Sequence, residues 1–469
     1  MMQRIALIVS VLLVIAACTS SDPEVPAQTT QPVAPSTTTS APTVTAPAPV
    51  ETTLIPAQSD GVTANDETIY VGILADLTGP FSGTVVDVVD AQLAFWNDLN
   101  ESGGIGGRQI EVLIANTGYD LATHVEKYGV LSDRVVMFAH STGSQQTLAV
   151  LPNLIEDDLL ALPVTWYSGW SDPILGANLL ETGSNYCMEA INTISYLDEQ
   201  HQAATGRTPT LALVTFPDDF GRDSAAGVRY AAEQLGIEIV YNGEGTVIPG
   251  QDLRPIAAAV AASGADYTWV ATDPISMVEI VGTSLQLGYT GQWGVAMVSF
   301  SDRLLSTALG DYMAQAMFMS TLILPLGAEA ENMAEVIEVL THAYPDRYPS
   351  TGLIEGYLEF VVAKTVLERA TELGDLTPSG VKAAAAQIGS LSYGGLAPSN
   401  IYSGDASSTV TRATAIYRPD KALFDAQGGL DATLGAGAIS PLSPIRGFTA
   451  SQLASDYDFQ GPCFVFPTG

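Results

Sequence analysis

Short apolar runs alternate along most of the chain with stretches in which apolar residues recur at a helical spacing. The alternation restarts at about residue 210, and two long helical patterns follow at 330–343 and 353–373. Strands separated by helical crossovers are typical of parallel α/β sheets, and the restart predicts two lobes. The strand-like runs lie at 69–75, 110–115, 135–139, 160–164, 210–216, 237–241 and 267–271, with helical patterns at 85–100, 121–131, 145–157, 222–235, 253–262 and 275–287.

The N-terminal segment is a different kind of sequence. An apolar stretch begins behind the single basic residue Arg4 and ends in two alanines directly before Cys18. This pattern is typical of a secretory signal peptide, and it is too short to span a bilayer, which takes roughly 20 apolar residues. A cysteine directly after Ala-Ala resembles the lipobox of bacterial lipoproteins, which implies a signal peptide over 1–17 and a lipid on the Cys18 thiol. The alternative is an ordinary signal peptide with an incidental cysteine.

Residues 18–66 are dominated by Thr, Pro, Ala, Ser and Val and have no strand or helix period. Such a segment buries too little apolar surface to offset the entropy of ordering it. We expect a disordered, extended tether between a membrane and the globular part. Whether the tether is glycosylated stays open. The protein is therefore expected outside the cytoplasm, anchored by lipid to the cell membrane.

The charge of the chain argues against some binding partners, and its cysteine content predicts a disulfide. The chain carries 51 acidic and 17 basic residues, a formal net charge of −34. Because the acidity is spread along the chain, it indicates a solvated acidic surface that repels nucleic acid and other polyanions. Beside Cys18 only Cys187 and Cys463 remain, and an even pair in an oxidising compartment predicts a disulfide. The alternative is two buried free thiols.

Four short motifs, in order and at suitable spacing, carry a family resemblance over roughly residues 67–420. They are IYVGILADLTGPF at 69–81, NESGGIGGRQI at 100–110, FPDDFGR at 216–222 and GADY at 264–267; Gly356-Tyr357 also opens a helix as in this family. Together they resemble the type I periplasmic binding proteins of the leucine/isoleucine/valine-binding class.

This resemblance implies a fold of two doubly wound parallel-sheet lobes joined by a three-strand hinge. The crossing strands are expected near 181–187, 320–324 and 396–402. Lobe one then comprises 67–182 plus 325–396, lobe two 187–320 plus 400–445, and a C-terminal tail 446–469. A ligand is expected between the lobes, since open parallel sheets bind ligands beyond the carboxyl ends of their strands.

In the first lobe, the sequence STGSQQ at 141–146 lies after a strand and before a helix. Hydroxyl donors and free N–H groups at a helix N-terminus bind anions or carbonyls. We therefore expect Thr142, Gly143 and Ser144 to bind ligand, and in the resembled family this loop holds the ligand's carboxylate. Plain helix capping is the alternative.

The loop that begins at Trp166 also follows a strand and carries three aromatic residues, which are costly to expose and can line a pocket. We expect Tyr167, Ser168 and above all Trp170 to face the ligand. The alternative is that one or two of these rings cover the edge of the lobe.

In the second lobe, the resemblance places Phe220 over the ligand. Asp273 follows a strand, where it either reaches the cleft or caps a helix. Amino-acid binders of the family hold the ligand ammonium with two carboxylates, and the residue that matches the first is Asn185. The stretch 293–301, which corresponds to the second, contains no acid.

A buried ammonium needs a paired carboxylate. The sequence therefore favours a small, largely apolar solute with a carboxylate or amide end, and no free α-amino group unless Asp273 holds it.

The sequence contains few features that would indicate catalysis, a metal site or a bound cofactor. The histidines (His124, His140, His201 and His342) form no metal-spaced pair, and there is no G-x-S-x-G elbow. His140 ends a strand near the expected cleft, where we interpret it as packing. The resemblance implies a solute-binding lipoprotein of an ABC importer that docks on a membrane permease. A ligand-sensing receptor subunit is the alternative, and an enzyme assembled from distant residues is a third.

Overall fold

The computed structural model describes residues 63–172, 175–402 and 409–465. The predicted signal peptide, Cys18 and nearly all of the tether 18–66 lie outside these ranges. In the described part of the chain, every helix is too short or too polar to cross a membrane.

The alternation of strands and helices follows the predicted order, with ends shifted by a few residues. The strands are β1 Thr68–Ala75, β2 Gln109–Asn116, β3 Met137–Thr142, β4 Ala161–Val164, β5 Thr210–Thr215, β6 Glu238–Gly243, β7 Tyr267–Ala271, β8 Gln292–Val295, β9 Met317–Thr321, β10 Ser390–Leu391, β11 Asn400–Ile401, β12 Thr414–Pro419 and β13 Leu442–Thr449. The helices are α1 Ser82–Glu101, α2 Leu121–Leu131, α3 Ser144–Glu156, α4 Tyr186–Thr205, α5 Asp219–Leu235, α6 Arg254–Ser263, α7 Pro274–Gln286, α8 Gly310–Ala316, α9 Met333–Ala343, α10 Gly352–Leu373, α11 Pro378–Ala385, α12 Lys421–Ala426 and α13 Gln452–Asp456.

Two sheets organise the fold, as the sequence predicts. The first has the order β2-β1-β3-β4 and is parallel throughout. The second has the order β13-β12-β9-β8-β7-β5-β6. The neighbouring strands β9, β8, β7, β5 and β6 are parallel to one another, whereas β12 is antiparallel to both of its neighbours, β9 and β13. Because β13 extends to Thr449, the first residues of the predicted tail 446–469 are part of this sheet.

Each sheet has its own apolar core. Trp96 of α1 and Phe360 of α10 pack edge to face in the first, and Trp269 and Trp293 are fully buried in the second. Helix α10 approaches α1 closely because Gly356 has no side chain, and a Cβ there would collide with the Val88 carbonyl. This close approach brings the N-terminal half of α10 to the edge of the space between the lobes.

The predicted crossing segments contact one another. The Leu324 amide donates to the Leu396 carbonyl at 2.8 Å. Ser184 Oγ donates to the Thr411 carbonyl at 2.7 Å, so the third connection runs beyond the predicted end at residue 402 before β12 begins. The fold is the predicted two-lobe α/β architecture, while the exact lobe boundaries stay a prediction.

The structure contains the predicted disulfide between Cys187 and Cys463, which are 276 residues apart in the sequence. The bond ties the C-terminal segment to the start of α4. That segment also touches the loop after β4, where Tyr167 Oη donates to the Phe464 carbonyl at 2.6 Å. A closed loop of this length lowers the entropy of the unfolded chain, and in the chain-entropy model this stabilises the folded state by up to about 5 kcal/mol.

Candidate functional site

A cleft between the two sheets contains about 910 Å³ of space that no protein atom fills, part of it open to solvent. Its walls come from loops at the carboxyl ends of strands in both lobes and from the N-terminus of α10. It is lined by Phe81, Thr84, Val85, Val88, Tyr119, Thr142, Gly143, Ser144, Val164, Thr165, Trp166, Tyr186, Phe220, Met297, Val298, Phe300, Ser301, Asp302, Arg303, Ile323, Ser350, Thr351, Gly352 and Glu355.

The N-terminus of α3 opens into this cleft. Thr142 ends β3, Gly143 turns the chain with a φ of 97°, and Ser144 begins the helix. The positive φ is readily adopted by glycine, and a Cβ at Gly143 would also meet the ring of Tyr119. Among the described residues, no side chain caps this helix. Because Gly143 and Ser144 line the cleft, the N-terminus of α3, which is the positive end of its dipole, lies at the cleft. The structure therefore brings the predicted residues Thr142, Gly143 and Ser144 together at one end of the cleft.

Aromatic rings form much of the wall. Phe220 lines the cleft as expected and packs against Tyr186, with ring centroids 4.5 Å apart. Trp166 stands edge-on to Tyr186 and is 4 % exposed. Its Nε1–H is buried and has no hydrogen-bond partner among the residues that the structure describes. A buried donor left unpaired costs roughly 1–3 kcal/mol, so Trp166 is suited to a ligand that supplies an acceptor.

Two acidic residues also reach the cleft. Glu355 accepts a hydrogen bond from Thr182 Oγ1 at 2.7 Å through Oε1. Burial, with the neighbouring Glu359, raises the pKa of Glu355 to about 8. Asp302 is likewise buried, and burial raises its pKa to about 6. Glu355 Oε2 and Asp302 Oδ2 have no hydrogen-bond partner in the described part of the chain. At neutral pH Glu355 is therefore mainly a neutral acid.

Arg303 connects the lobes at the edge of the cleft. Its Nη1 donates to the Gly83 carbonyl at 3.1 Å and lies 3.2 Å from Asp87 Oδ2, both on α1. Asp87 also accepts from Arg347 and from Ser350 Oγ. The guanidinium of Arg303 is thus already paired, and it closes the side of the cleft.

Three predicted ligand residues lie elsewhere. Ser168 bonds Asp223 through its amide and its hydroxyl, at 3.0 and 2.5 Å, and accepts from the Cys463 amide. Tyr167 bonds the C-terminal segment. Trp170 donates its Nε1–H to the Thr165 carbonyl at 3.1 Å and lines a separate pocket with Glu181. Trp170 therefore does not line the cleft, because within the 3₁₀ turn over Ser168–Ser171 its indole is held by the Thr165 carbonyl.

Asn185 and Asp273 are helix caps and do not line the cleft. Asn185 Oδ1 accepts from the Met188 amide at the start of α4. Asp273 Oδ1 accepts from the amides of Ile275 and Ser276 at the start of α7. The capping alternative considered for Asp273 is the arrangement observed.

Several residues line the cleft without being predicted from the sequence: Tyr119, Trp166, Tyr186, Asp302, Arg303 and Glu355. The sequence does carry a signal for Trp166, because this residue lies nearest the end of β4 in a loop predicted to contact ligand. It carries none for Glu355, since a glutamate in a long helix is ordinarily exposed. Within the described ranges, no group of three or more His, Cys, Asp or Glu side chains is placed to hold a metal ion.

Comparisons with known proteins agree with this geometry. A family model described as "Periplasmic binding protein" matches residues 68–422. No curated protein sequence matches the chain. Among solved structures, a fatty acid ABC transporter substrate-binding protein from Thermomonospora curvata superposes with a TM-score of 0.76 and 24% identity, covering 86% of this chain and 97% of that one.

A branched-chain amino acid ABC transporter protein from Thermus thermophilus with bound valine gives a TM-score of 0.69 at 17% identity, covering 83% of this chain and 98% of that one. An extracellular ligand-binding receptor from Verminephrobacter eiseniae gives 0.63 at 17%, covering 76% and 98%. At these identities the structures show a shared fold.

Proposed function

Because the chain belongs to the periplasmic binding protein family, we propose that it captures a small solute between its lobes and delivers it to the permease of an ATP-driven importer. Capture involves no chemistry: the open lobes admit the solute, and closure about the crossing segments buries it. That the protein has no catalytic activity stays a prediction. Support for capture comes from the cleft, whose walls are contributed by both lobes.

The proposed solute is small and largely apolar, with a carboxylate or amide end. The observation that supports this proposal is that the cleft combines a largely apolar wall with a few hydrogen-bond donors. Most of its wall is aromatic or aliphatic, while the uncapped N-terminus of α3 and the unpaired Nε1–H of Trp166 offer donors. A carboxylate or amide oxygen satisfies those donors, and an apolar body fills the remainder.

The proposed solute has no free α-amino group. Asp273, the residue that was expected to hold an ammonium if any did, caps α7 outside the cleft lining. Glu355 and Asp302 do reach the cleft; burial raises the pKa of Glu355 to about 8, so Glu355 is mainly neutral at pH 7, but raises that of Asp302 only to about 6. Binding an ammonium would require either ionising Glu355 or burying a charged pair with Asp302 in a largely apolar space, and both are costly.

We further propose that the mature protein is extracytoplasmic and held at the membrane by a lipid on Cys18. The motif before Cys18 and the Thr/Pro-rich tether support this, because a lobed receptor that serves a permease must stay near the membrane and yet reach it. The formal net charge of −34 keeps such a protein from adhering to anionic head groups.

A thermal-shift screen tests the proposal. Hexanoate, hexanamide and hexylammonium share one apolar chain and differ in the polar end, and leucine, isoleucine and valine complete the panel. Acids or amides are expected to raise the melting temperature, because a ligand that binds only the folded state stabilises it. Stabilisation by hexylammonium or by the amino acids alone would contradict the proposed solute class.

A further inference from the structure

A chain of hydrogen bonds runs from the interior of the first lobe to the cleft. Glu359 Oε2 of α10 lies 2.9 Å from His140 Nδ1, and His140 Nε2 lies 2.6 Å from Thr142 Oγ1. Glu359 and His140 are completely buried, and Thr142, which lines the cleft, is 3 % exposed. The sequence predicts only a packing role for His140, but its ring joins a buried acid to a cleft hydroxyl.

A proton on Oε1 of Glu359 would be a buried donor without an acceptor, since Oε1 has no partner among the described residues. The two remaining placements of the protons give Thr142 opposite roles. If Glu359 is ionised, His140 donates from Nδ1 and accepts the Thr142 hydroxyl hydrogen at Nε2, which leaves Thr142 only an acceptor towards the cleft. If Glu359 is protonated, it donates to Nδ1 and the ring donates from Nε2 to Thr142 Oγ1. The hydroxyl hydrogen of Thr142 is then free to point into the cleft.

The surroundings favour the second placement. Among the described residues, Glu359 has no arginine or lysine partner; Gln92 of α1 donates to its Oε2, and its Oε1 is unpartnered. Glu355, one turn earlier on α10, adds a second buried carboxyl. Burial raises the pKa of Glu359 well above its ordinary value and lowers the pKa of His140 to about 3. Both groups are therefore neutral at physiological pH.

The other groups near the ring do not alter this balance. His124 of α2 contacts Ser141 Oγ at 3.3 Å, and burial lowers its pKa to about 4, so it supplies no positive charge. The Asp76 amide approaches Thr142 Oγ1 at 3.4 Å, as a second donor to the same oxygen. In the described part of the chain, no acceptor is recorded for the Thr142 hydroxyl hydrogen other than His140.

We propose that Glu359, acting through His140, directs the hydroxyl hydrogen of Thr142 into the cleft and so makes Thr142 a specificity determinant for solutes that present a carboxylate or carbonyl oxygen. This inference rests on the proposed capture of a solute in the cleft. Glu359 and His140 are positioning residues, and Thr142 is the group that touches the solute. The donors at this end of the cleft then act together: the start of α3, Trp166 Nε1 and Thr142 Oγ1.

The tautomer of His140 is the direct test, and it needs no solute. Two-bond ¹H–¹⁵N correlation spectra of the whole protein, labelled with ¹⁵N-histidine, distinguish Nε2–H from Nδ1–H rings. The His140 signals are assigned by their loss in His140→Gln or, if that variant does not fold, by replacing the other three histidines in turn. The expected result at pH 7 is a neutral His140 with its proton on Nε2. A proton on Nδ1, or a doubly protonated ring, would overturn the proposal.

A Glu359→Leu variant tests whether the acid sets this state. Without the carboxyl, Nδ1 loses its donor, so the ¹⁵N shifts of His140 are expected to move while those of His124 stay in place. Unchanged His140 shifts in a folded Glu359→Leu protein would show that Glu359 does not set the tautomer. If this variant does not fold, the wild-type spectrum still decides the proposal. A failure here leaves solute capture itself intact, because no ligand takes part in the measurement.

Discussion

Asn400 and Gly183 pair two of the crossing segments through both polar atoms of the asparagine side chain. The Gly183 amide donates to Asn400 Oδ1 at 2.7 Å, and Asn400 Nδ2 donates to the Gly183 carbonyl at 2.9 Å. Nδ2 also donates to Thr411 Oγ1 at 3.2 Å, and Tyr393 Oη donates to Oδ1 at 3.0 Å. One buried amide thus satisfies backbone groups that would otherwise need a strand partner.

Replacing Asn400 by alanine should therefore destabilise the protein. Both polar groups of Gly183 would be left buried without partners, which costs about 2–3 kcal/mol in free energy of unfolding. Urea unfolding monitored by circular dichroism measures the loss. Asn153→Ala, at an exposed position on α3, is the matched control and should change stability little. An equal loss of unfolding free energy in the two variants would show that the hydrogen bonds between Asn400 and Gly183 do not stabilise the protein.

Substitutions of the two tryptophans in the loop after β4 are expected to have different effects, one on solute binding and the other on stability. Trp166 lines the cleft with an unpaired Nε1–H, whereas Trp170 lies outside it and donates to the Thr165 carbonyl. Trp166→Phe is expected to weaken solute binding roughly tenfold, the equivalent of about 1.4 kcal/mol. Trp170→Phe is expected to leave affinity nearly unchanged but to lower stability further, by about 1 kcal/mol.

Calorimetry with an acid or amide that stabilises the protein, together with urea unfolding, measures both effects. Each substitution removes similar ring volume, so each variant controls for the other. The account of the cleft would be contradicted if Trp170→Phe weakened binding as much as Trp166→Phe.

The sequence predicted the fold well because a parallel α/β sheet is encoded locally. Apolar runs such as that of β1 alternate with helical patterns, and the loops after strands must meet at one edge of a sheet. This rule predicts Thr142 at the cleft, whereas Phe220 is predicted there by the family resemblance, and both residues line it. Glu355 enters from a helix more than 200 residues later in the chain than Thr142, and only the packing of α10 on α1 places it there. The structure places Trp170 outside the cleft, because the 3₁₀ turn over Ser168–Ser171 decides which ring of the loop faces it, and the sequence pattern does not specify that turn.

Stability is expected to fall as pH rises from about 5 to about 8. Burial raises the pKa of Glu189 to about 8, and the pKa values of Glu181 and Asp223 to about 7. In this range the folded state binds more protons than the unfolded state, so each such group lowers the free energy of unfolding by up to about 1.4 kcal/mol per pH unit. Urea unfolding as a function of pH measures the slope.

Glu189→Gln should flatten that slope, because the substitution removes one of the titrating carboxyls. The introduced side-chain amide oxygen can still accept the hydrogen bond that the Met297 amide donates to Glu189 Oε1. Glu233→Gln, on the exposed side of α5, is the control and should leave the slope unchanged. A stability that rises with pH over this interval, or the same slope in both variants, would refute this assignment of buried neutral acids.

The anchor is tested by Cys18→Ser. If Cys18 carries the lipid, the serine variant lacks the acylated thiol and should leave the membrane fraction of the expressing cell. Immunoblots of membrane and soluble fractions measure this, and Ser20→Ala, which leaves both Cys18 and the disulfide in place, is the control. Full retention of the Cys18→Ser protein in the membrane fraction would mean that something other than a lipid at Cys18 holds it.

Isothermal titration calorimetry of the wild-type protein with the six-carbon series tests the central claim most directly. The account predicts one-to-one binding of hexanoate or hexanamide, weaker binding of either to Trp166→Phe, and no measurable binding of hexylammonium. Tight binding of leucine, isoleucine or valine, with no binding of the acid or the amide, would contradict it.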